Sequence, residues 1–523
     1  MSNEQERAEL HRTIWKIAND LRGAVDGWEF KSYVLGALFY RYISENMTTY
    51  INHLQREAGG EPDFDYAHMA DDEAEEARQM VVEEKGYFIL PSQLFVNVAA
   101  GAAANENLNE TLSSVFRSIE NSAQGQPSEE DLRGLFSDFA VNNEKLGHSV
   151  AKRNELLAKV LQAVAGMQLA DSLTDNQNDV FGDAYEYLMQ MYAASAGKSG
   201  GEFFTPQGVS ELLARLATEG NGQIRRVYDP ACGSGSLLLK LTKTVGKDSP
   251  HLQYYGQEIN PSTYNLCRIN MFLHGVNFAN FDIALGDTLT APAHQGMKFD
   301  AIVSNPPYSV KWVGDDNPLL INDPRFSPAG ILAPKSKADL AFTMHMLAHL
   351  AETGKAAIVE FPGVLYRGGA EQKIRRYLLE NNFVETVIQL PENLFFGVQI
   401  ATCIIVLRRG AKQDNQVLFV DASKECEKQG NKNYLLPKYQ ERIAEAVARR
   451  EDIPYFTKLV TNSDIIVNNC NLSVSSYVEQ PDTREQVDIE ALNQEISNIV
   501  KRGAELRREI DRMVAEWEGG HVQ

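Results

Sequence analysis

Cysteine is scarce in this chain. Five are scattered over 523 residues (Cys232, Cys267, Cys403, Cys426 and Cys470), an odd number with no CxxC spacing. That argues against a disulfide framework and a zinc site, no metal ligands are expected, and it fits a reducing cytoplasm. Long apolar runs are missing too: none reaches the ~18 residues that a membrane span needs. The opening Met1-Ser2-Asn3-Glu4-Gln5-Glu6-Arg7 is polar and lacks the apolar core of a secretory signal. Positive charge is in deficit, with 50 Lys and Arg against 71 Asp and Glu, a formal charge of −21. Affinity for the phosphate backbone requires basic surface. On charge alone this chain is a poor DNA binder, unless local basic patches suffice or another subunit supplies the grip. The rest is ordinary for a soluble globular protein, 43% apolar and 23% charged. At about 100–200 residues per domain, the length suggests three or so domains.

Residues 1–165 read as an N-terminal helical domain. Leu10, Ile14, Ile17 and Leu21 share one helical face, and Phe30 to Ile43 is apolar almost all round, as a buried helix is. Ten carboxylates against one arginine, Arg78, between Glu61 and Glu84 read as a solvated acidic stretch. Ala99–Asn105 and Ser122–Ser128 read as loops. Over 166–412 the texture becomes alternating strands and helices, with β-rich runs at 227–228, 252–256, 281–285, 299–303, 356–360, 384–388 and 402–407. Several are apolar throughout, as strands covered on both faces are. The pattern predicts a doubly wound α/β domain. Residues 413–480 are a mixed extension, and 481–523 a C-terminal helix. In that helix Ile489, Leu492, Ile496, Ile499, Gly503, Leu506, Ile510, Met513 and Trp517 are spaced 3-4-3-4. This is a coiled-coil or bundle seam for a partner helix, or the inner face of an amphipathic helix lying on its own domain.

Asp229-Pro230-Ala231-Cys232-Gly233-Ser234-Gly235-Ser236 lies between a strand ending at Tyr228 and a helix opening with Leu237-Leu238-Leu239. Glycine lets the backbone turn sharply and approach a ligand, and a helix N-terminus favours negative charge. A dinucleotide fingerprint would need a third glycine where Leu238 stands, which argues against a nicotinamide enzyme. The next strands end at Glu258, where an α/β nucleotide fold places its ribose acceptor, and at Asp287, which could accept from a purine amine. Each acid alone could be a surface residue. Further on, the apolar run Phe299 to Val303 stops at Asn305-Pro306-Pro307-Tyr308. Prolines cannot donate to a sheet, so pairing ends there. The expectation is that Asn305 stands at the rim with its amide free and Tyr308 just outside it.

Asp-Pro-Ala-Cys-Gly-Ser-Gly followed by Asn-Pro-Pro-Tyr resembles the amino-methyltransferases that act on adenine N6. With Gly201-Glu202-Phe203-Phe204-Thr205-Pro206 upstream and helical regions on both flanks, essentially the whole chain is similar to the modification (M) subunit of type I restriction–modification enzymes. The resemblance implies a Rossmann-like methyltransferase domain using S-adenosylmethionine. Glu202, Phe203, Phe204, Thr205, Pro206 and Gln207 would meet the cofactor's methionine end. Asp229, Gly233, Ser234, Gly235 and Ser236 would hold its methionine and carboxylate side, Glu258 its ribose hydroxyls and Asp287 its adenine. Asn305, Pro306, Pro307 and Tyr308 would be the catalytic set. The Asn305 side-chain oxygen and the Pro306 carbonyl would accept the two amine hydrogens of an adenine flipped from duplex DNA, and Tyr308 would stack on it. No cysteine nucleophile is needed. Other acceptors for the same Asn-Pro-Pro-Tyr are cytosine N4, guanine in ribosomal RNA, or glutamine in a protein.

The same resemblance implies partners that account for the acidity: a specificity (S) subunit that reads the sequence, a second M subunit, and a restriction (R) subunit in the nuclease complex. It also implies the cytoplasm of a bacterium or archaeon. No GxxxxGK[ST] is present, so cutting is not expected of this chain. Lys373, Arg375 and Arg376, beside Arg367-Gly368-Gly369, form the best local basic cluster, either a DNA-backbone patch or a solvated helix face.

Overall fold

The structure is a computed structural model and describes Arg12, Ile14 and residues 30–167, 187–188, 205–220, 222–245, 251–395, 397–410, 412, 414–430, 432–480 and 488–519. Within 30–167 three long helices dominate: α1 (Phe30–Glu57), α2 (Leu108–Ser122) and α3 (Val150–Ala165). α1 is buried on most of its circumference from Tyr33 to Met47, as its continuous apolar sequence dictates. α2 buries Leu108, Leu112, Val115, Phe116 and Ile119, one stripe at helical spacing. α3 begins at Ser149, whose hydroxyl accepts from Lys152 N at 3.2 Å. Tyr40 meets Phe95 and Phe116 edge-on, and Phe116 stacks on Phe136 at 4.3 Å. Each such ring contributes about 1.5–3 kcal/mol by leaving water. Ala99–Asn105, expected as a loop, is mostly helical: Phe95–Gly101 is a helix and Ala102–Ala104 a tighter turn. Alanine is the best helix former, and Val98, Ala99 and Ala102 are buried against the core. Of the expected helix 10–21, all but Arg12 and Ile14 lies outside the described residues.

The second region is built on β1 (Arg226–Asp229), β2 (Gln253–Glu258), β3 (Phe281–Leu285), β4 (Phe299–Ser304), β5 (Leu350–Glu360), β6 (Val384–Gln389), β7 (Cys403–Arg408), β8 (Gln416–Asp421), the hairpin β9 (Glu427–Gln429) and β10 (Lys432–Tyr434), and β11 (Thr457–Thr461). Nine of them form one sheet in the order β11-β8-β6-β7-β5-β4-β1-β2-β3. Strands β3, β2, β1, β4 and β5 run parallel, and β7 is antiparallel to both β5 and β6. Helices α4 (Gln207–Thr218), α5 (Ser236–Val245), α6 (Pro261–Leu273), α7 (Asp339–His349) and α8 (Ala370–Glu380) lie between or beside the strands, and two apolar cores result. The sheet continues past residue 412, because β8 pairs with β6 and β11 with β8. A domain boundary at 412 therefore falls inside the sheet: the segment 413–480, expected as a separate extension, supplies two of its strands and helix α9 (Pro437–Arg449).

The order of connection fixes where a ligand can sit. From β1 the chain winds one way to β2 and β3, and then crosses to β4 on the other side of β1. Loops leaving β1 and β4 therefore diverge and open a crevice at the carboxyl ends of these strands. The N-terminal helices close on the β2–β3 side: Arg268 of α6 donates to the carbonyls of Glu130, Asp131 and Arg133, and Phe39 meets Phe272.

Residues 479–523 form a unit of their own. It holds α10 (Ile489–Gly519), whose apolar residues, from Ile489 at 69% to Trp517 at 77%, are exposed. Among the described residues no helix is long and apolar enough to cross a membrane.

Candidate active site

The loop after β1 opens at Asp229, which is fully buried. Its Oδ1 accepts from Ala231 N at 3.0 Å and from the Ser304 hydroxyl at 2.8 Å, while Oδ2 has no partner. Burial pushes this carboxyl up to about 7, against the pull of those two donors and with a further push from Glu258. Gly233 and Gly235 both take the left-handed conformation, φ 54° and 77°. A Cβ on Gly235 would lie 2.7 Å from Cys267 Sγ, whereas none of the surrounding atoms comes within 4 Å of one on Gly233. The first glycine leaves open space and the second permits close packing of the helix behind it. Cys232 is held as a thiol by Cys267 and by burial, so it is no nucleophile.

The Glu258 carboxylate closes over this loop. Its Oε2 accepts from Gly233 N at 3.0 Å and its Oε1 from Asn260 N at 2.8 Å. The Ile259 N–H also bears on this carboxylate, which keeps acceptor capacity for a hydroxyl. Asp287 caps its own turn, accepting from Leu289 N at 2.9 Å and the Thr290 hydroxyl at 2.8 Å. Thr288 ties that turn to the first loop by donating to the Pro230 carbonyl at 2.5 Å. The three acidic strand ends are thus brought to one edge of the sheet. Two residues that sequence reasoning missed stand beside them: Ile259, 66% exposed, and Leu285, 50% exposed. Large aliphatic side chains are left in water next to Glu258 and Asp287, an exposure that only the folded structure reveals.

The neighbouring β4 ends at Ser304, and Asn305-Pro306-Pro307-Tyr308 follows as expected. The carboxamide of Asn305 is not free, however. Its Nδ2 donates to Thr205 Oγ1 at 3.0 Å, and its Oδ1 accepts from the Tyr308 hydroxyl at 2.6 Å. A half-buried amide keeps its groups paired within the protein when no base is at hand. Nor does Tyr308 stand clear of the protein: its ring meets Phe395 edge-on at 6.3 Å, and burial, with Glu360 nearby, keeps its phenol protonated. Ser309 takes a left-handed φ of 51° and donates its backbone N–H to Asp339 Oδ1 at 2.9 Å. Thr205 and Pro206 lead into α4, whose first residue is Gln207; Glu202, Phe203 and Phe204 lie outside the described residues.

Matches to two protein families divide the chain between the helical region and the sheet. Residues 176–486 match the family model described as N-6 DNA Methylase, and residues 10–164 match the HsdM N-terminal domain. The chain is 46% identical to the type I restriction enzyme MpnII methylase subunit of Mycoplasma pneumoniae, over 98% of this chain and 97% of that one. It belongs to the N-6 DNA methylase family, as a methylase subunit of the type I restriction enzymes. The methylase subunit is also 31% identical to the MjaVIII methylase subunit of Methanocaldococcus jannaschii, over 71% of this chain and 67% of its relative. Its fold matches the crystal structure of the type I restriction–modification methyltransferase subunit from Streptococcus thermophilus. The TM-score is 0.81 at 37% identity, covering 90% of this chain and all of that one.

The basic cluster dissolves in three dimensions. Arg375 is 1% exposed, and its guanidinium donates to the carbonyls of Val364, Arg367 and Cys470. It is a structural clamp of the methylase subunit, while Lys373 and Arg376 stay on the exposed face of α8.

Proposed function

We propose that the methylase subunit transfers the methyl group of S-adenosylmethionine to N6 of an adenine flipped out of duplex DNA, with the residues around the β1–β4 crevice in the following roles. One observation carries the reading: the cofactor-type loop and the Asn-Pro-Pro-Tyr loop are joined where they leave the sheet, by the 2.8 Å bond from Ser304 to Asp229. The residues fit the cofactor. The unpartnered Oδ2 of Asp229 suits an ammonium group, the open left-handed Gly233 loop at the start of α5 suits a carboxylate, and Glu258 suits a pair of ribose hydroxyls. Asp287 would accept from the adenine amine, with Ile259 and Leu285 as apolar walls. Bound there, S-adenosylmethionine supplies a methyl group made electrophilic by its sulfonium.

The chain's own work is orientation. The lone pair of the adenine amine is delocalised into the ring, which makes the amine a weak nucleophile. Asn305 Oδ1 and the Pro306 carbonyl would accept its two hydrogens and favour a pyramidal nitrogen aimed at the methyl group. Holding attacker and methyl in line replaces a bimolecular encounter. Oδ1 has two lone pairs, so it can keep Tyr308 and accept from the base, or release Tyr308 to stack on it. Thr205 fixes the far side of the same carboxamide. Cytosine N4, ribosomal guanine and protein glutamine are not favoured as acceptors, given the family to which the chain belongs.

A chain of charge −21 needs help to hold DNA. We assign target reading to a specificity subunit, with a second methylase subunit on the other side and a restriction subunit in the nuclease complex, all in the cytoplasm. The exposed apolar seam of α10 is the surface assigned to the specificity subunit. Incubating the assembled subunits with labelled cofactor and DNA tests the reading: label must appear in DNA as N6-methyladenine.

A further inference from the structure

After Tyr308 the chain makes an excursion and returns at Ala338, whose N–H donates to the Val310 carbonyl at 2.9 Å. The excursion carries Arg325, a guanidinium only 5% exposed. Asp323 holds it flat, accepting from Nε at 2.9 Å and from Nη2 at 2.7 Å. The other contacts reach outside the excursion. Nη1 donates to the Thr288 carbonyl and Nη2 to the Leu289 carbonyl, each at 2.8 Å. These carbonyls belong to the turn that Asp287 opens.

Arg325 is also bound to the catalytic side. Its Nη1 lies 3.1 Å from His345 Nδ1. A guanidinium can only donate, so Nδ1 is the acceptor, and the imidazole proton sits on Nε2, which donates to the Tyr228 hydroxyl at 3.0 Å. Tyr228 directly precedes Asp229. His345 is on α7, and the first residue of α7, Asp339, is the one that holds Ser309 behind the catalytic loop. A buried charge is costly unless its donors are matched. Here Asp323 neutralises the charge, and two of the remaining acceptors are carbonyls of a candidate cofactor turn, not of a helix or strand.

We propose that Arg325 is a positioning residue for the methyl transfer: it locks the Asp287 turn to the helix that holds the catalytic loop, so that the adenine end of the cofactor and the target base share one frame. The proposal rests on the reading that places the cofactor's adenine at Asp287. Lysine would keep the charge but lose the planar fork that spans the two carbonyls and His345.

The test uses the full-length chain with Arg325→Lys, assembled with its partner subunits for kinetics. Affinities are measured by calorimetry for S-adenosylhomocysteine and for 5′-methylthioadenosine, which shares the adenosine but lacks the amino-acid end. Loss of charge-assisted hydrogen bonding should weaken both ligands by the same factor, about tenfold, and the kinetic loss should fall on KM for the cofactor more than on kcat. Unchanged affinities overturn the proposal. So does a much larger loss for S-adenosylhomocysteine than for 5′-methylthioadenosine, which would mean a loosened pocket and no specific hold on the adenine end. If Arg325→Lys does not fold, Asp323→Asn, which only slackens the guanidinium, must shift both affinities in the same direction, and no shift overturns the proposal. Asp287→Ala, which removes the acceptor, serves as the control for the underlying reading: affinity unchanged in that variant, whatever Arg325→Lys does, removes adenine from Asp287.

Discussion

The Tyr308 hydroxyl donates to the Asn305 carboxamide oxygen at 2.6 Å, and the same carboxamide donates to Thr205 at 3.0 Å. The acceptor assigned to the adenine amine is thus oriented before a base arrives. One of its supports, Thr205, lies in the segment assigned to the cofactor, and the other is the residue assigned to base stacking.

Asn305→Ala should slow methyl transfer severely and leave cofactor affinity intact. Removing one preorganised hydrogen-bonding group at a reacting centre costs about 10²–10³ in kcat. Single-turnover transfer rates, with calorimetry of S-adenosylhomocysteine on the same protein, check this. Transfer at the wild-type rate would show that Asn305 is not the amine acceptor.

Tyr308 separates into ring and hydroxyl. Tyr308→Phe keeps the ring against Phe395 and removes only the bond to Asn305, so a modest fall in kcat is expected. Tyr308→Ala removes the stacking surface, worth about 1–3 kcal/mol per base. It should lower the yield of flipped base, read by 2-aminopurine fluorescence at the target position. Equal effects of the two variants would assign the whole role to the hydroxyl.

Asp229 predicts a pH signature. Its carboxyl is raised from 3.8 to about 7 in the folded protein. A group so raised contributes stability that is complete below its unfolded value and is lost as pH rises through the folded one. In the cofactor-free protein the contribution of Asp229 to stability should therefore fall between about pH 4 and pH 7, so Asp229→Asn should differ from the wild type in the pH slope of thermal melts over that window. An ammonium placed at the unpartnered Oδ2 would favour the ionised form, so cofactor binding near neutrality should release a proton. Binding heats that do not depend on the ionisation enthalpy of the buffer would contradict the placement.

For the C-terminal helix the prediction is separable loss. Removing residues 489–523, or placing Asp at Ile496 and Ile510, should weaken association with the specificity subunit in a pull-down while cofactor affinity stays unchanged. Exposed apolar side chains at 3-4-3-4 spacing bury most of their surface only against another helix. Intact assembly would return this helix to the role of an ordinary exposed element.

The parts of the fold that were legible are those with local punctuation. Gly233 and Gly235 mark the first loop and Pro306 and Pro307 end β4, so both loops could be placed without knowing the sheet order. The strands β8 and β11 were harder, because β11 (Thr457–Thr461) is partly polar and joins the sheet only through pairing with distant β8. Arg375 read as surface charge because its three carbonyl partners come from two segments, 364–367 and 470, the second of them 95 residues away. Thr205 lay in a recognisable motif, but its hold on Asn305 spans 100 residues and has no local trace. The same is true of Arg325, whose acceptors at Thr288 and Leu289 become neighbours only once the excursion has folded back.

The most direct measurement is nucleoside mass spectrometry of DNA methylated by the assembled subunits, with wild-type and Asn305→Ala chains side by side. The account predicts N6-methyladenine with the wild type and at most a trace with the variant in the same incubation time. N4-methylcytosine, label confined to protein, or undiminished N6-methyladenine in the variant would contradict it.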